Sequence, residues 1–282
     1  MEEPLHCYRH PDRETRVTCS ECGRPICEDC MSFAPVGIRC PDHANLGAPR
    51  PSAARTVRQA RGRVAGLDAP ATVALVAANV LVYLATVAQG PGGMRPGGDW
   101  FERGALVGVL VADGEWYRLV TAMFLQASLI HLAFNMLALW WLGSVVEQAL
   151  GTWRYLLLYF ASGLAGSAGA LVMSSPLAFT VGASGAIYGI LGALLILEYL
   201  STGSLAGPAL TLIVLNLAIT LAIPNISIGG HVGGLVGGVL ATLALTQVRR
   251  VTRSALAGPA LVVLVAVVSV AVAWFRVESY VL

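Results

Sequence analysis

Much of this chain consists of apolar runs close to twenty residues long, the length at which an α-helix crosses the hydrocarbon of a bilayer. Charged residues make up only 12% of the chain and hydrophobic ones 56%. A soluble domain carries about 25% charged residues. The chain therefore reads as a multi-span, all-α membrane protein. A net charge of +2 gives no reason to expect nucleic acid as a partner. Every basic residue is Arg and none is Lys, which we take as coding bias rather than chemistry. The start, Met1 to Glu3, is acidic with no apolar core behind it, so no signal peptide is expected.

Seven apolar helices are expected within residues 70–282, at about Ala71–Gln89, Leu119–Val146, Trp153–Met173, Gly182–Leu200, Pro208–Ile223, Ile228–Val248 and Gly258–Phe275. Residues 47–69 form an Arg-rich linker. There Arg50, Arg55, Arg58, Arg61 and Arg63 mix with Gly and Pro, either as a flexible segment on an anionic membrane face or as a short basic amphipathic helix. Five Arg before the first span place this side in the cytoplasm. Arg249, Arg250 and Arg253 after the sixth span, and Arg154 after the second, fall on the same side. The links Ser174–Val181 and Pro224–Gly229 on the other side carry no charge. Segment Gly90–Arg118 lies outside. It mixes Trp100, Phe101, Trp116 and Tyr117 with Arg95, Arg103 and Arg118, and is expected to be structured at headgroup level.

Against this apolar background a few polar side chains stand out. His131 and Asn135 lie in the second run, Ser184 opens the fourth and His231 opens the sixth. Those three helices run in the same direction, so span counting puts all four residues at one depth, near the outer surface. Polar groups in hydrocarbon are costly and usually face the bundle interior. For any one of them the plain alternative is a helix-to-helix hydrogen bond. Gly182, Gly185, Gly189 and Gly192 form one stripe. Gly230, Gly234 and Gly238 form another, and Gly233 and Gly237 repeat at the same interval. Small residues at this spacing allow two backbones to approach closely, as a short Ser184 side chain needs if it is to reach an imidazole.

A Ser hydroxyl becomes a useful nucleophile when a base takes its proton, and His231 is the base at its depth. No Asp or Glu is placed to orient the imidazole, so a dyad is expected rather than a triad. Tyr188, one turn after Ser184, is placed to stack on His231; core packing is the alternative. His131 and Asn135 share one helix face. With the Ser184 N–H they are candidate donors to an oxyanion.

Residues 1–46 differ in kind. All six Cys lie here. Cys7 and His10, Cys19 and Cys22, Cys27 and Cys30, and Cys40 and His43 make four ligand pairs, enough for two tetrahedral Zn²⁺ sites. A cross-brace would join pairs one and three, and pairs two and four. The alternative is a disulfide framework, which a cytosolic location disfavours. His6 is a surface residue or a substitute ligand. With few apolar residues, the module would draw its folding energy from two structural zinc ions; eight ligands leave no open position for catalysis. The spacing resembles a B-box zinc finger, with Cys40 where a His is more usual.

Several ordered motifs resemble the rhomboid family of intramembrane serine proteases, over about residues 69–250. Gly182-Ala183-Ser184-Gly185 is similar to its nucleophile motif, and His231-Val232-Gly233-Gly234 to its histidine motif. His131 and Asn135 are similar to its His-xxx-Asn element, and Trp116-Tyr117-Arg118 to its Trp-Arg element. Glu147 stands where the family often has Glu. The resemblance implies a six-helix bundle plus a seventh, C-terminal transmembrane helix, here preceded by a small zinc-binding domain. It implies Ser184 as nucleophile, His231 as base, and His131, Asn135 and the Ser184 amide at the oxyanion, with Tyr188, Gly182 and Gly185 in support. No cofactor is implied for catalysis. Substrates would be membrane-anchored proteins cut near their outer end, and the fifth helix would be a mobile element near substrate entry. Gln126 departs from the pattern, standing where many members have His. The family gives no role for the finger, which would recruit a cytoplasmic protein partner.

Three other readings compete. A catalytically dead relative would bind membrane proteins, but would not require both Ser184 and His231. A zinc-responsive adaptor would leave their shared depth without a purpose. A transporter would be expected to carry an ion pair within its spans.

Overall fold

The computed structural model describes residues 5–33, 37–43, 69–224, 226–248, 252 and 254–280. The linker arginines Arg50 to Arg63, together with Arg249, Arg250 and Arg253, lie outside the described residues. The chain divides into two compact units, Met1–Ser52 and Ala53–Leu282.

The first unit is built from two small antiparallel sheets. Strand β1 (Leu5–Cys7) pairs with β2 (His10–Thr15), and β3 (Ser32–Phe33) pairs with β4 (Ile38–Arg39). Its buried centre consists of Cys7, Cys19, Cys27, Cys30 and Cys40 around a single aliphatic residue, Ile26. So little apolar surface cannot offset the entropy of ordering the chain. At the surface Asp42 receives Tyr8, Arg9 and Arg24, and Arg13 pairs with Asp29. Exposed pairs of this kind contribute little.

The second unit is helical. Its elements are α1 (Pro70–Ala88), the short loop helices α2 (Gly98–Gly104), α3 (Gly108–Ala112) and α4 (Arg118–Thr121), then α5 (Leu129–Leu150), α6 (Thr152–Met173), α7 (Ser184–Thr202), α8 (Pro208–Ala222), α9 (Ile228–Val248) and α10 (Ala257–Glu278). Helices α5 and α9 each include a π-helical stretch, at Leu139–Gly143 and Ala244–Val248. Among the described residues six helices are long and apolar enough to cross a membrane: α1, α5, α6, α7, α9 and α10.

The expected fifth helix is present as α8, close to its expected bounds, and with 15 residues it is shorter than the six of spanning length. At 1.5 Å per residue it reaches roughly 22 Å, against a hydrocarbon layer of roughly 30 Å. One sequence expectation needs correcting. The second expected helix, from Leu119, is broken: backbone at Leu125 and Ser128 is extended, and the long helix starts at Leu129. Apolar periodicity runs through this break, but Ser128 ends it by capping α5, its hydroxyl accepting from the His131 N–H at 3.2 Å.

Two buried polar groups pin the loops. Arg118 is 3% exposed; it donates to the carbonyls of Glu102 (2.8 Å) and Ala105 (2.6 Å) and to Glu115 (2.6 Å). It thereby folds the segment between α1 and α5 into a fixed structure. Glu147 accepts from the Ala71 and Thr72 N–H groups at 3.0 and 2.8 Å, and from the Thr72 and Thr152 hydroxyls. A carboxylate at the N-terminus of α1 satisfies donors the helix leaves open and suits its dipole.

The centre of the bundle is α9, packed between α6 and α7 through glycine. A methyl on Gly234 or Gly238 would overlap the carbonyl oxygen of Gly185 or Gly189 on α7. On its other side, a methyl on Gly233 would overlap the Ala165 carbonyl of α6. The two stripes on α9 therefore serve two different neighbours.

Candidate active site

Three helix N-termini meet at one place. Ser227 caps α9 through the Gly230 N–H (3.0 Å), which puts His231 in its first turn. Ser128 does the same for α5 and His131. Ser184 is the first residue of α7, preceded by Ala183 as cap and by Gly182 at φ +135°. Because Gly185 and Gly234 are in backbone contact next to the reactive residues, the short Ser184 side chain can bridge the helices: its Oγ lies 2.9 Å from His231 Nε2.

The imidazole is held on two further sides. Tyr188 stacks on it, with ring centroids 4.1 Å apart and planes 16° from parallel. Thr220 Oγ1 of α8 lies 2.7 Å from His231 Nδ1. His231 is 7% exposed and Thr220 3%.

His131 sits across Gly182 from Ser184. A methyl on Gly182 would come 2.8 Å from His131 Cε1, 3.1 Å from Nε2 and 3.5 Å from Ser184 Oγ. Positive φ and this crowding both require glycine there. His131 Nδ1 accepts from the Ala127 N–H at 3.2 Å, which places the ring proton on Nε2, the nitrogen beside Gly182. The Ser184 N–H opens α7 and has no acceptor within its helix.

Asn135 makes its hydrogen bond elsewhere. Its Nδ2 donates to Gln126 Oε1 (2.7 Å), Gln126 Nε2 donates to Asn79 Oδ1 (2.8 Å), and Asn79 Nδ2 donates to the Leu75 carbonyl (2.9 Å). A backbone carbonyl can only accept, so the end of the chain fixes the orientation of all three amides. One N–H of Asn135 is left for another acceptor.

Sequence reasoning missed Thr220 and Asn79, and saw Gln126 only as a departure from a motif. Asn79 was visible as a polar residue in the first apolar run. Thr220 carried no signal: threonine satisfies itself on a helix by bonding back one turn, and its apolar run gave no reason to single it out.

In the N-terminal unit the eight candidate ligands fall into two groups, Cys7, His10, Cys27, Cys30 and Cys19, Cys22, Cys40, His43. Within each group the ligand atoms lie within 4.8 Å of one another. Cys27 Sγ and Cys30 Sγ are 3.3 and 3.5 Å from His10 Nδ1, and Cys22 Sγ is 3.9 Å from Cys40 Sγ. Ligand bonds of about 2.0–2.3 Å to a tetrahedral zinc give edges of this size. All six cysteines are free thiols rather than disulfides. Burial pushes the Cys7 thiol up, but hydrogen bonds from the Cys27, Arg9 and His10 backbone and the His10 side chain outweigh it and hold it at about 6. Cys19 is likewise held at about 6, against burial, by Cys40, Glu21 and Cys22. Thiolate is the metal-binding form. Cys30 is pushed up to about 11 by burial and by neighbouring Cys7 and Cys27. A bound cation would relieve that crowding of like charge.

Comparison with known proteins separates the two units. The Rhomboid domain model matches residues 113–248, which contain Gln126, His131, Asn135, Ser184, Tyr188, Thr220 and His231. The rhomboid protease GluP of Bacillus subtilis is 43% identical over 147 residues, 50% of this chain and 28% of that protein. YdcA of the same organism, named for the same family, is 36% identical over 143 residues, 49% of this chain and 71% of that protein. The chain belongs to the rhomboid family. With six helices of spanning length, this rhomboid is a multi-pass membrane protein. It is also 30% identical over 142 residues to rhomboid-type serine protease 2 of Emericella nidulans, 48% of this chain and 28% of that protein. The chain thus spans less than a third of two of these relatives.

Proposed function

We propose that this rhomboid is an intramembrane serine endopeptidase acting through Ser184 and His231. The observation that carries the reading is the 2.9 Å contact between Ser184 Oγ and His231 Nε2. Ser184 Oγ attacks the scissile carbonyl as its proton passes to His231 Nε2. The resulting oxyanion is met by the Ser184 N–H, by His131 Nε2–H and by the free N–H of Asn135. His231 then gives its proton to the leaving amine, and the acyl group stays on Ser184. Water, deprotonated by His231, releases the acid and restores both residues. Tyr188 holds the imidazole plane, and Gly182 and Gly185 keep the space open.

Substrates are membrane-anchored proteins cut near the extracytoplasmic end of their transmembrane segment. The active site opens to that side and the N-terminus is cytoplasmic, in a cell-membrane location; support for this comes from the uncharged outer links and the Arg-rich inner ones. The N-terminal unit, 1–46, is a B-box-like finger holding two structural Zn²⁺, one in each Cys₃His group, joined by the 47–69 linker to the membrane domain at 70–282. When bound, the metal supplies folding energy; it has no part in catalysis. The finger's outer surface serves a cytoplasmic protein partner.

A serine-reactive fluorophosphonate tests the catalytic reading. The purified protein should be labelled, and Ser184→Ala and His231→Ala should not. Labelling unaffected by either substitution would remove it. Elemental analysis of the full chain should find about two zinc per protein, by the ligand count; disulfides with no metal would overturn the finger.

A further inference from the structure

We infer that Thr220 is a positioning residue for the base: it fixes the tautomer of His231 and ties it to α8. This rests on the proposed Ser184–His231 chemistry. Thr220 Oγ1 makes three contacts at hydrogen-bond distance: Asn216 O at 2.8 Å, His231 Nδ1 at 2.7 Å and Tyr188 OH at 3.1 Å.

A threonine hydroxyl has one proton and two lone pairs. Asn216 O is a carbonyl and can only accept, so that contact is a hydrogen bond only when the Thr220 proton goes to it. Both lone pairs of Oγ1 then accept, one from Tyr188 O–H and one from His231 Nδ1–H. His231 Nε2 is left without a proton and faces the Ser184 hydroxyl at 2.9 Å. Each of the four short contacts then holds one proton. In the reverse assignment Thr220 donates to Nδ1. Two oxygens would then face each other at 2.8 Å with no proton between them, and His231 would present N–H rather than a lone pair to Ser184. Thr220 thus does for His231 what a buried carboxylate does elsewhere, without a charge. An anion at this depth, 3% exposed, would be costly; a hydroxyl anchored on its own helix is not.

The attachment has a second consequence. Of the fifteen residues of α8 only Ala209, Ile213 and Thr220 are buried. One of its three points of burial is therefore the hydrogen bond to the base. Displacing the Thr220 end of α8 removes the acceptor from Nδ1 and frees the ring to take the unproductive tautomer.

The test uses full-length protein in detergent, with two readouts. In the first, the rate of fluorophosphonate labelling at Ser184 is measured for wild type, Thr220→Val and Thr220→Ser. Valine keeps the shape and removes the acceptor; serine keeps the acceptor. Leaving the buried Nδ1–H unpaired should slow labelling roughly 10- to 100-fold in Thr220→Val, and Thr220→Ser should restore the rate to within about threefold. In the second, ¹⁵N NMR of histidine-labelled protein, with His231→Ala to assign the signal, reads the tautomer. Wild type and Thr220→Ser should carry the proton on Nδ1, and Thr220→Val should shift toward Nε2. A wild-type His231 with its proton on Nε2 would overturn the inference, even where the valine variant fails to fold. So would Thr220→Ser as slow as Thr220→Val, which would make the methyl group, and not the oxygen, the important part. If wild type takes no probe at Ser184, the protease reading falls, and the tautomer alone decides the role of Thr220.

Discussion

In the N-terminal unit, His10 meets Cys27 across 17 residues of chain, in a core made almost entirely of the ligands themselves. In the helical unit, Ser184 meets His231 across 47 residues, and the close backbone approach of their two helices is made by glycines rather than by the reactive side chains. The contact depends on Gly185 and Gly234, whose backbones touch, and on two serine caps that set where α5 and α9 begin. Where a metal-ligand set is the core, function and folding are one free energy. Where a reactive pair is mounted on a scaffold, they separate, and each can be removed without the other.

Chelation should expose that difference most strongly. A structural zinc is worth on the order of 10–16 kcal/mol of folding free energy at neutral pH, far more than the few apolar residues around Ile26 supply. Removing metal with a strong chelator should therefore unfold the N-terminal unit, seen as rapid proteolysis within the first 43 residues. Fluorophosphonate labelling of Ser184 should persist, because neither ligand group includes a residue of the active site. Loss of labelling together with the finger would break the contrast.

The second test acts on the scaffold. Gly234→Val places a branched side chain where the Gly185 carbonyl stands. Overpacking of this kind costs about 3 kcal/mol, and relief comes only by separating α7 from α9. Labelling should disappear although Ser184, His231 and Thr220 are all intact, and the detergent-solubilised protein should melt at a lower temperature. Zinc content should stay at the wild-type value. A Gly234→Val protein that labelled normally would show that helix proximity is not what assembles the pair.

The two units also differ in how much could be read in advance. The four ligand pairs were legible because a two-residue gap forces both side chains toward one point, so spacing alone carries the geometry. The common depth of Ser184, His231 and His131 followed from counting helices, since a membrane-spanning helix has few choices of direction. What could not be read was lateral: which side of each helix faces which neighbour. Thr220 and Asn79 take part through contacts across the bundle: Asn79 stood out as a polar residue but nothing local gave its partner, and nothing local marked Thr220. The break at Leu125–Ser128 was hidden for a similar reason. Hydropathy continues through it; the Ser128 cap is a local contact that hydropathy does not report, and the burial of Gln126 behind it is a tertiary one.

The smallest expected effect concerns that buried glutamine. Gln126 is fully buried and links Asn135 to Asn79. Gln126→Leu, close in size, would leave an Asn135 N–H and Asn79 Oδ1 without partners. Each unpaired group costs about 1–3 kcal/mol before relaxation. Local rearrangement, in which Asn79 turns toward Asn135, should bring the net loss to about 1 kcal/mol. Labelling should fall only a few-fold, since the Ser184–His231 contact is untouched and only the orientation of one oxyanion donor is loosened. Pairing it with Asn135→Ala separates the contributions. If Gln126 acts through Asn135, the double variant should label no more slowly than Asn135→Ala alone; independent losses that multiply would mean that Gln126 supports the site by another route.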